Sequence, residues 1–223
     1  MYIKHTLGFL FIIGYKMILQ DNIISKSILA GISVCIGSYL YLISNNHVLG
    51  SILFSACILG CFIFDLNLFT FKSGYLSDNQ DLRRSILVLL LNLFIVFILG
   101  IIFRFSYPNI IKFADNIVNN RIDQNILQII INSIIVGFLF TLSVESEKYN
   151  SNYRNYLLSI ISLIPITLIG NFCLFDLFIY SISSIAIDNI WFVLLNLFLT
   201  IIFNFVGCNL YNLFIHKSLI HRD

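Results

Sequence analysis

The sequence predicts an all-α polytopic membrane protein with six transmembrane helices in two inverted three-helix repeats, the second and fifth helices broken. Composition predicts the class: 59% of the 223 residues are hydrophobic, mean hydropathy is +0.94 and only 11% are charged. A soluble domain carries about 25% charged residues. The apolar stretches predict the layout, because they come in the lengths of about 20 residues that a bilayer crossing needs. Two interruptions predict the repeats. One is Asn67-Leu68-Phe69-Thr70-Phe71-Lys72-Ser73-Gly74; the other, about one hundred residues on, is Gly170-Asn171-Phe172-Cys173-Leu174-Phe175-Asp176. Non-helical backbone at membrane depth is tolerated only inside protein or along a water-filled cavity. Interrupted spans in corresponding positions of two halves point to a transport site near the midplane.

The elements follow in order. Residues 1–25 read as an N-terminal interfacial segment: Lys4 and the apolar run Thr6 to Tyr15 look like a signal peptide, but no small-residue cleavage site follows and Lys16 adjoins the run. Residues 26–216 form the six-span domain and 217–223 a polar tail. Span one covers 27–43, and Ser44-Asn45-Asn46-His47 turns the chain into span two at 48–65. Span two breaks at 66–73. Span three is 85–103, and a partly helical loop with Pro108, Lys112, Asp115 and Arg121 leads to span four at 124–144. A polar hinge, Glu145 to Arg154, precedes span five, which Pro165 and Gly170 loosen before a break at 169–174. A short apolar piece, Leu177 to Ile187, and the turn Asp188-Asn189 lead to span six at 190–215. Three spans per repeat is an odd number, so the second copy inserts upside down.

Charge placement orients the chain. With the N-terminus inside, ten Lys and Arg fall on inner segments; only Arg104, Lys112 and Arg121 fall on outer ones. Both termini are therefore expected in the cytoplasm. The five cysteines, Cys35, Cys57, Cys61, Cys173 and Cys208, all lie in spans and read as small apolar packers. No metal site and no cofactor is expected. A net charge of +2, without a basic run, excludes nucleic acid as a partner. No paired carboxylates, zinc-protease motif or nucleophile elbow suggests an enzyme.

On this layout several stretches resemble the formate/nitrite transporter family. Lys26-Ser27-Ile28-Leu29-Ala30-Gly31-Ile32 resembles the family's entry to the first span. Asn67-Leu68-Phe69-Thr70 resembles its Glu-Leu-Phe-Thr loop, with Leu53-Phe54 upstream at the expected distance. Asn132 with Val136 resembles its Cys-Asn-x-x-Val pattern. Asn196-Leu197, Asn204 and Gly207 resemble its last-span signature. The resemblance covers residues 26 to 215. It implies an aquaporin-like fold, a homopentamer with a pore in each protomer, and passage of formate, nitrite or hydrosulfide through a prokaryotic plasma membrane.

The family's central histidine is missing. Aligning Asp176-Leu177-Phe178 with the family's Asn-Met-Phe puts Phe172 in its place, or Cys173 in the shifted register. The expected substrate pathway is Leu68, Phe69, Thr70, Phe172, Cys173, Asp176 and Asn204. Phe69 and Phe172 are candidate constriction walls, and Thr70 and Asn204 candidate donors to an anion. Lys72 and Lys148 are candidate charges at the cytoplasmic mouth; Lys72 snorkels to the surface or pairs with Asp176, which otherwise caps the half-helix after the break. Without the histidine, passage of a neutral acid or small neutral solute gains over that of the anion. The competing expectation is a non-transporting membrane protein that keeps the scaffold.

Overall fold

A chain this apolar has few side chains with which to satisfy its backbone, so the backbone must satisfy itself. It does so as helices: no strand occurs among the described residues. The structure is a computed structural model. It describes the backbone of residues 2–44, 46–72, 79–148 and 153–219, and side chains over 23–44, 46–70, 81–146 and 157–210.

Among the described residues ten helices follow one another: α1 (Tyr2–Ile43), α2 (His47–Ile63), α3 (Phe69–Lys72), α4 (Asn79–Phe103), α5 (Ile110–Ile122), α6 (Ile126–Lys148), α7 (Tyr153–Ile169), α8 (Cys173–Ile182), α9 (Ile185–Asp188) and α10 (Ile190–Leu219). Four are long and apolar enough to cross a membrane, over Ile23–Ile43, Asp81–Phe103, Ile126–Ser146 and Ile190–Leu210. These are the expected spans one, three, four and six. The pair α7–α8, bent by 45° at its break, passes the same test taken together, which gives five if the pair is one span, as expected for the broken span five, rather than a re-entrant loop. Where span two was expected, α2 is a shorter apolar helix of 17 residues, about 25 Å long. The chain then turns at Phe64 and Asp65, runs without helix to Leu68 and resumes as α3. The break therefore begins two residues before the expected 66–73 and gives way to helix at Phe69. The tail of that expected break, from residue 73, lies outside the described residues.

Two boundaries differ from expectation. The N-terminal segment is not a separate helix, because α1 runs without interruption from Tyr2 through span one. No Pro or Gly-Pro signal stops it there. The hinge expected from Glu145 is shorter, since α6 continues to Lys148 and α7 resumes at Tyr153. Pro165 lies inside α7, four residues before the helix ends at Ile169 and the break begins.

Helix α1 packs on α2 and α4, α6 packs on α7 and α10, α2 crosses α7, and α4 lies along α8. Buried serines keep these seams close: Ser27, Ser38, Ser51, Ser55, Ser133 and Ser162 each donate to the carbonyl four residues back. Small polar groups are thereby satisfied within their own helix. None of the five cysteines forms a disulfide and none is exposed. Outward faces carry Leu90, Phe94, Phe97, Leu194 and Phe198, as a lipid-facing surface should.

The tightest seam joins α6 and α10. A Cβ at Gly137 would fall on the Asn204 carbonyl, and one at Gly207 on the Ile134 carbonyl. Close backbone approach through small residues is the usual glue between membrane helices. Gly207→Ala is expected to cost about 1–3 kcal/mol of stability in detergent, the cost of overpacking. Gly60→Ala, which meets nothing within 4 Å, is the control and should be neutral. Thermal unfolding of both proteins checks this.

Candidate functional site

Each break leaves backbone groups without helical partners, and each is met by one asparagine from a neighbouring long span. At break one, Asn92 of α4 accepts from the Phe69 amide through Oδ1 at 3.0 Å. Its Nδ2 donates to the carbonyls of Ser27 at 2.8 Å and Asn67 at 3.3 Å. At break two, Asn204 of α10 accepts from the Cys173 amide through Oδ1 at 3.3 Å. Its Nδ2 donates to the carbonyls of Ser133 at 2.8 Å and Asn171 at 3.0 Å. The partners correspond one for one: Asn67-Leu68-Phe69 with Asn171-Phe172-Cys173, Ser27 with Ser133, Asn92 with Asn204. Both asparagines have no exposed surface. An asparagine suits the task because its amide carries donor and acceptor in one plane.

The breaks meet on α10. One turn beyond Asn204, Cys208 Sγ donates to the Thr70 carbonyl at 3.5 Å, so one face of span six touches both interruptions. Break two is made by two successive left-handed residues, Gly170 (φ +73°) and Asn171 (φ +63°). Glycine and asparagine are the residues that enter that region at low cost. At Gly170 there is a second reason: a Cβ would fall on the guanidinium of Arg121.

Arg121 is the largest departure from the sequence reading, which counted it as an outer-loop charge. It closes the last turn of α5, is 7% exposed, and its Nε donates to Asp176 Oδ1 at 3.3 Å. Asp176, 1% exposed, pairs with Arg121 from the loop helix, and it does not cap α8 with its side chain. Asp176 Oδ2 and both polar atoms of Asn171 find no hydrogen-bond partner among the described residues. A signal for Arg121 was present: Ile110, Ala114, Val118 and Arg121 form one buried stripe along α5, with the arginine continuing the apolar face. Asp65 pairs with Lys26 at 2.6 Å beside break one.

The remaining candidates are placed as follows. Leu68, Phe69 and Thr70 are buried at break one, and Phe172 and Cys173 at break two. Asn204 spends both donors and its oxygen on the clamp. The Lys72 and Lys148 side chains lie outside the described residues. Asn92 was not singled out from the sequence at all.

An aromatic column runs inward from a surface cavity. The cavity, about 320 Å³, lies between the end of α1, the start of α2 and α5, and presents Ser44, His47, Asn116 and Asn120. Tyr41 forms its floor, with its hydroxyl 3.2 Å from His47 Nδ1. Below it the rings meet in sequence: Tyr41 with Phe175 at 5.2 Å, Phe175 with Phe54 at 5.5 Å, Phe54 with Phe172 at 6.2 Å and Phe172 with Phe140 at 4.6 Å. Edge-to-face contacts of this kind are favourable beyond their burial.

These features define an all-helical, polytopic membrane protein whose centre is a pair of clamped helix breaks. No family model matches the chain, and no curated protein sequence matches it.

The buried ion pair makes a prediction. Asp176→Asn leaves Arg121 buried without its counter-charge and is expected to cost about 3–5 kcal/mol. Replacing both partners, Arg121→Met with Asp176→Leu, should recover most of that loss. Unfolding in detergent of the three proteins checks it; an Asp176→Asn protein as stable as the native one would mean that the pair does not hold α5 in place.

Proposed function

We propose that the chain is a membrane channel or transporter for a small monovalent anion or its neutral acid, of the formate, nitrite or hydrosulfide class. The observation that carries this reading is the matched pair of asparagine-clamped breaks. Interrupted spans at corresponding places in two halves are the mark of a transport site. The correspondence of Ser27, Asn67 and Asn92 with Ser133, Asn171 and Asn204 supports two inverted three-helix repeats. It also supports the resemblance to the formate/nitrite transporter family, and with it a homopentameric assembly. The charge bias supports both termini in the cytoplasm of a prokaryotic cell, which makes the cavity at His47, Asn116 and Asn120 an outer vestibule.

The route inward from that vestibule is lined with rings. Phe54, Phe140 and Phe172 have no exposed surface, and an unpaired charge placed among them would be very costly. The species that passes is therefore the neutral acid, and no imidazole stands at Phe172 to supply its proton. Flux of a weak acid into proteoliposomes should follow its neutral fraction between pH 5 and 8, without a separate protein titration. Phe172→His should add a step near neutrality, where an imidazole titrates. A titrating step in the native protein would contradict the assignment of Phe172.

The same rings favour a second reading, a membrane protein that keeps the scaffold and conducts nothing. A continuous aromatic column is what a closed-off pathway would contain. Uptake of formate, nitrite, hydrosulfide and glycerol separates the two. On the transport reading Phe172→Ala, which removes the ring touching both Phe54 and Phe140, raises flux at least tenfold over empty liposomes. No flux from either the native protein or Phe172→Ala would sink the transport reading.

A further inference from the structure

A second cavity lies away from the breaks, on the outward side between α4, α8, α9 and α10. It is an open groove of about 610 Å³, walled by Phe97, Ile101, Leu177, Ile190, Leu194 and Leu197. Arg104 stands at one end. From Arg104 the groove descends along α4 to Phe97 and along α10 from Ile190 to Leu197, seven residues on each, or about 10 Å. Phe105, Tyr107 and Trp191 are exposed at the Arg104 end, as aromatic residues are where a protein leaves the hydrocarbon for the headgroups. The arginine is thus at headgroup depth and the apolar walls lie at acyl-chain depth.

Arg104 is also short of partners. Its Nη2 donates to Ser184 Oγ at 2.9 Å, and among the described residues it makes no ion pair. Oδ1 of the nearby Asp115 accepts from the Ser183 hydroxyl and from the amides of Ser184 and Ile185. The guanidinium therefore keeps unused donors facing the mouth of an apolar groove, the complement of a phosphate joined to a hydrocarbon chain.

We propose that this groove is a binding site for one anionic phospholipid, with its phosphate on Arg104 and an acyl chain between α4 and α10. The site is independent of the transport reading and needs only that the helices sit in a bilayer.

The test uses the full chain in detergent, titrated with phosphatidylglycerol, with phosphatidylcholine of the same chains, or with inorganic phosphate. Bound lipid is counted by native mass spectrometry, and thermal unfolding is followed in parallel. Phosphatidylglycerol is expected to bind at one site more tightly than phosphatidylcholine and to raise the unfolding temperature saturably. Arg104→Gln should weaken phosphatidylglycerol about fivefold, the share of one basic residue near a membrane surface, and abolish the preference. Leu194→Trp, an exposed position whose enlargement fills the groove, should weaken both lipids. Arg83→Gln, at the far end of α4, should change neither. Equal binding of the two lipids by the native protein, or an unchanged preference in Arg104→Gln, overturns the proposal. So does a stabilisation reproduced by inorganic phosphate alone, or cross-linking of Leu194→Cys between two copies, which would give the groove to another protomer.

Discussion

The fold depends on how two interrupted helices satisfy their backbone away from water. A helix that stops inside a bilayer exposes amides and carbonyls, and each one left unpaired there costs several kcal/mol. Here the interruptions are short, three residues at 170–172 and five at 64–68, and in each a single side chain closes the gap. Asn92 and Asn204 each join three main-chain groups: two from the break and one from a third helix, at Ser27 or Ser133. Each clamp therefore fixes three helices at once. This is why α1 and α4 gather around the first break and α6 and α10 around the second. Gly137 and Gly207 then let α6 and α10 close to backbone contact, which brings Asn204 within reach of the second break.

Around that frame the protein places its few buried charges with care. Arg121 enters from a loop helix rather than from a span, fills the space that Gly170 leaves empty, and meets Asp176 on the far side of the break. One buried pair thus ties α5 to α8 beside the second break. The aromatic column from Tyr41 to Phe140 passes beside it. Most polar groups in this core are met by backbone and by one another, the Asn171 side-chain amide and Asp176 Oδ2 being exceptions among the described residues, and aromatic rings fill much of what is left. On the proposed transport reading, rings of this kind favour an uncharged solute, which is the physical basis for proposing the neutral acid rather than its anion.

Much of the architecture was legible because membranes enforce simple rules. Span lengths, the polar turn at Asn46, which caps α2 through Val48 and Leu49, and the break at Gly170-Asn171 follow from hydropathy and backbone chemistry. The site was less legible, for identifiable reasons. Asn92 sits in the most hydrophobic span, with nothing local to mark it; its meaning lies in partners at Ser27 and Asn67. Arg121 looked like a surface charge because a cation in a loop usually is one, and only its place on the Ile110–Ala114–Val118 stripe says otherwise. The pairing of Asp176 could not be read from sequence spacing, since its partner lies 55 residues away on another helix. The apolar run Thr6 to Tyr15 between Lys4 and Lys16 suggested a separate segment, but no proline interrupts it, and α1 runs on.

Amide hydrogen exchange, read by mass spectrometry on peptides covering 64–70 and 169–175, tests the clamps most directly. The account predicts that both breaks are protected in the native protein. Asn92→Ala should speed exchange at Phe69 by about tenfold or more and leave Cys173 unchanged; Asn204→Ala should do the reverse, since each loss opens one break locally. Fast exchange at both amides in the native protein, or variants that leave exchange at their own break unaltered, would contradict the claim that these two asparagines hold the interrupted helices together.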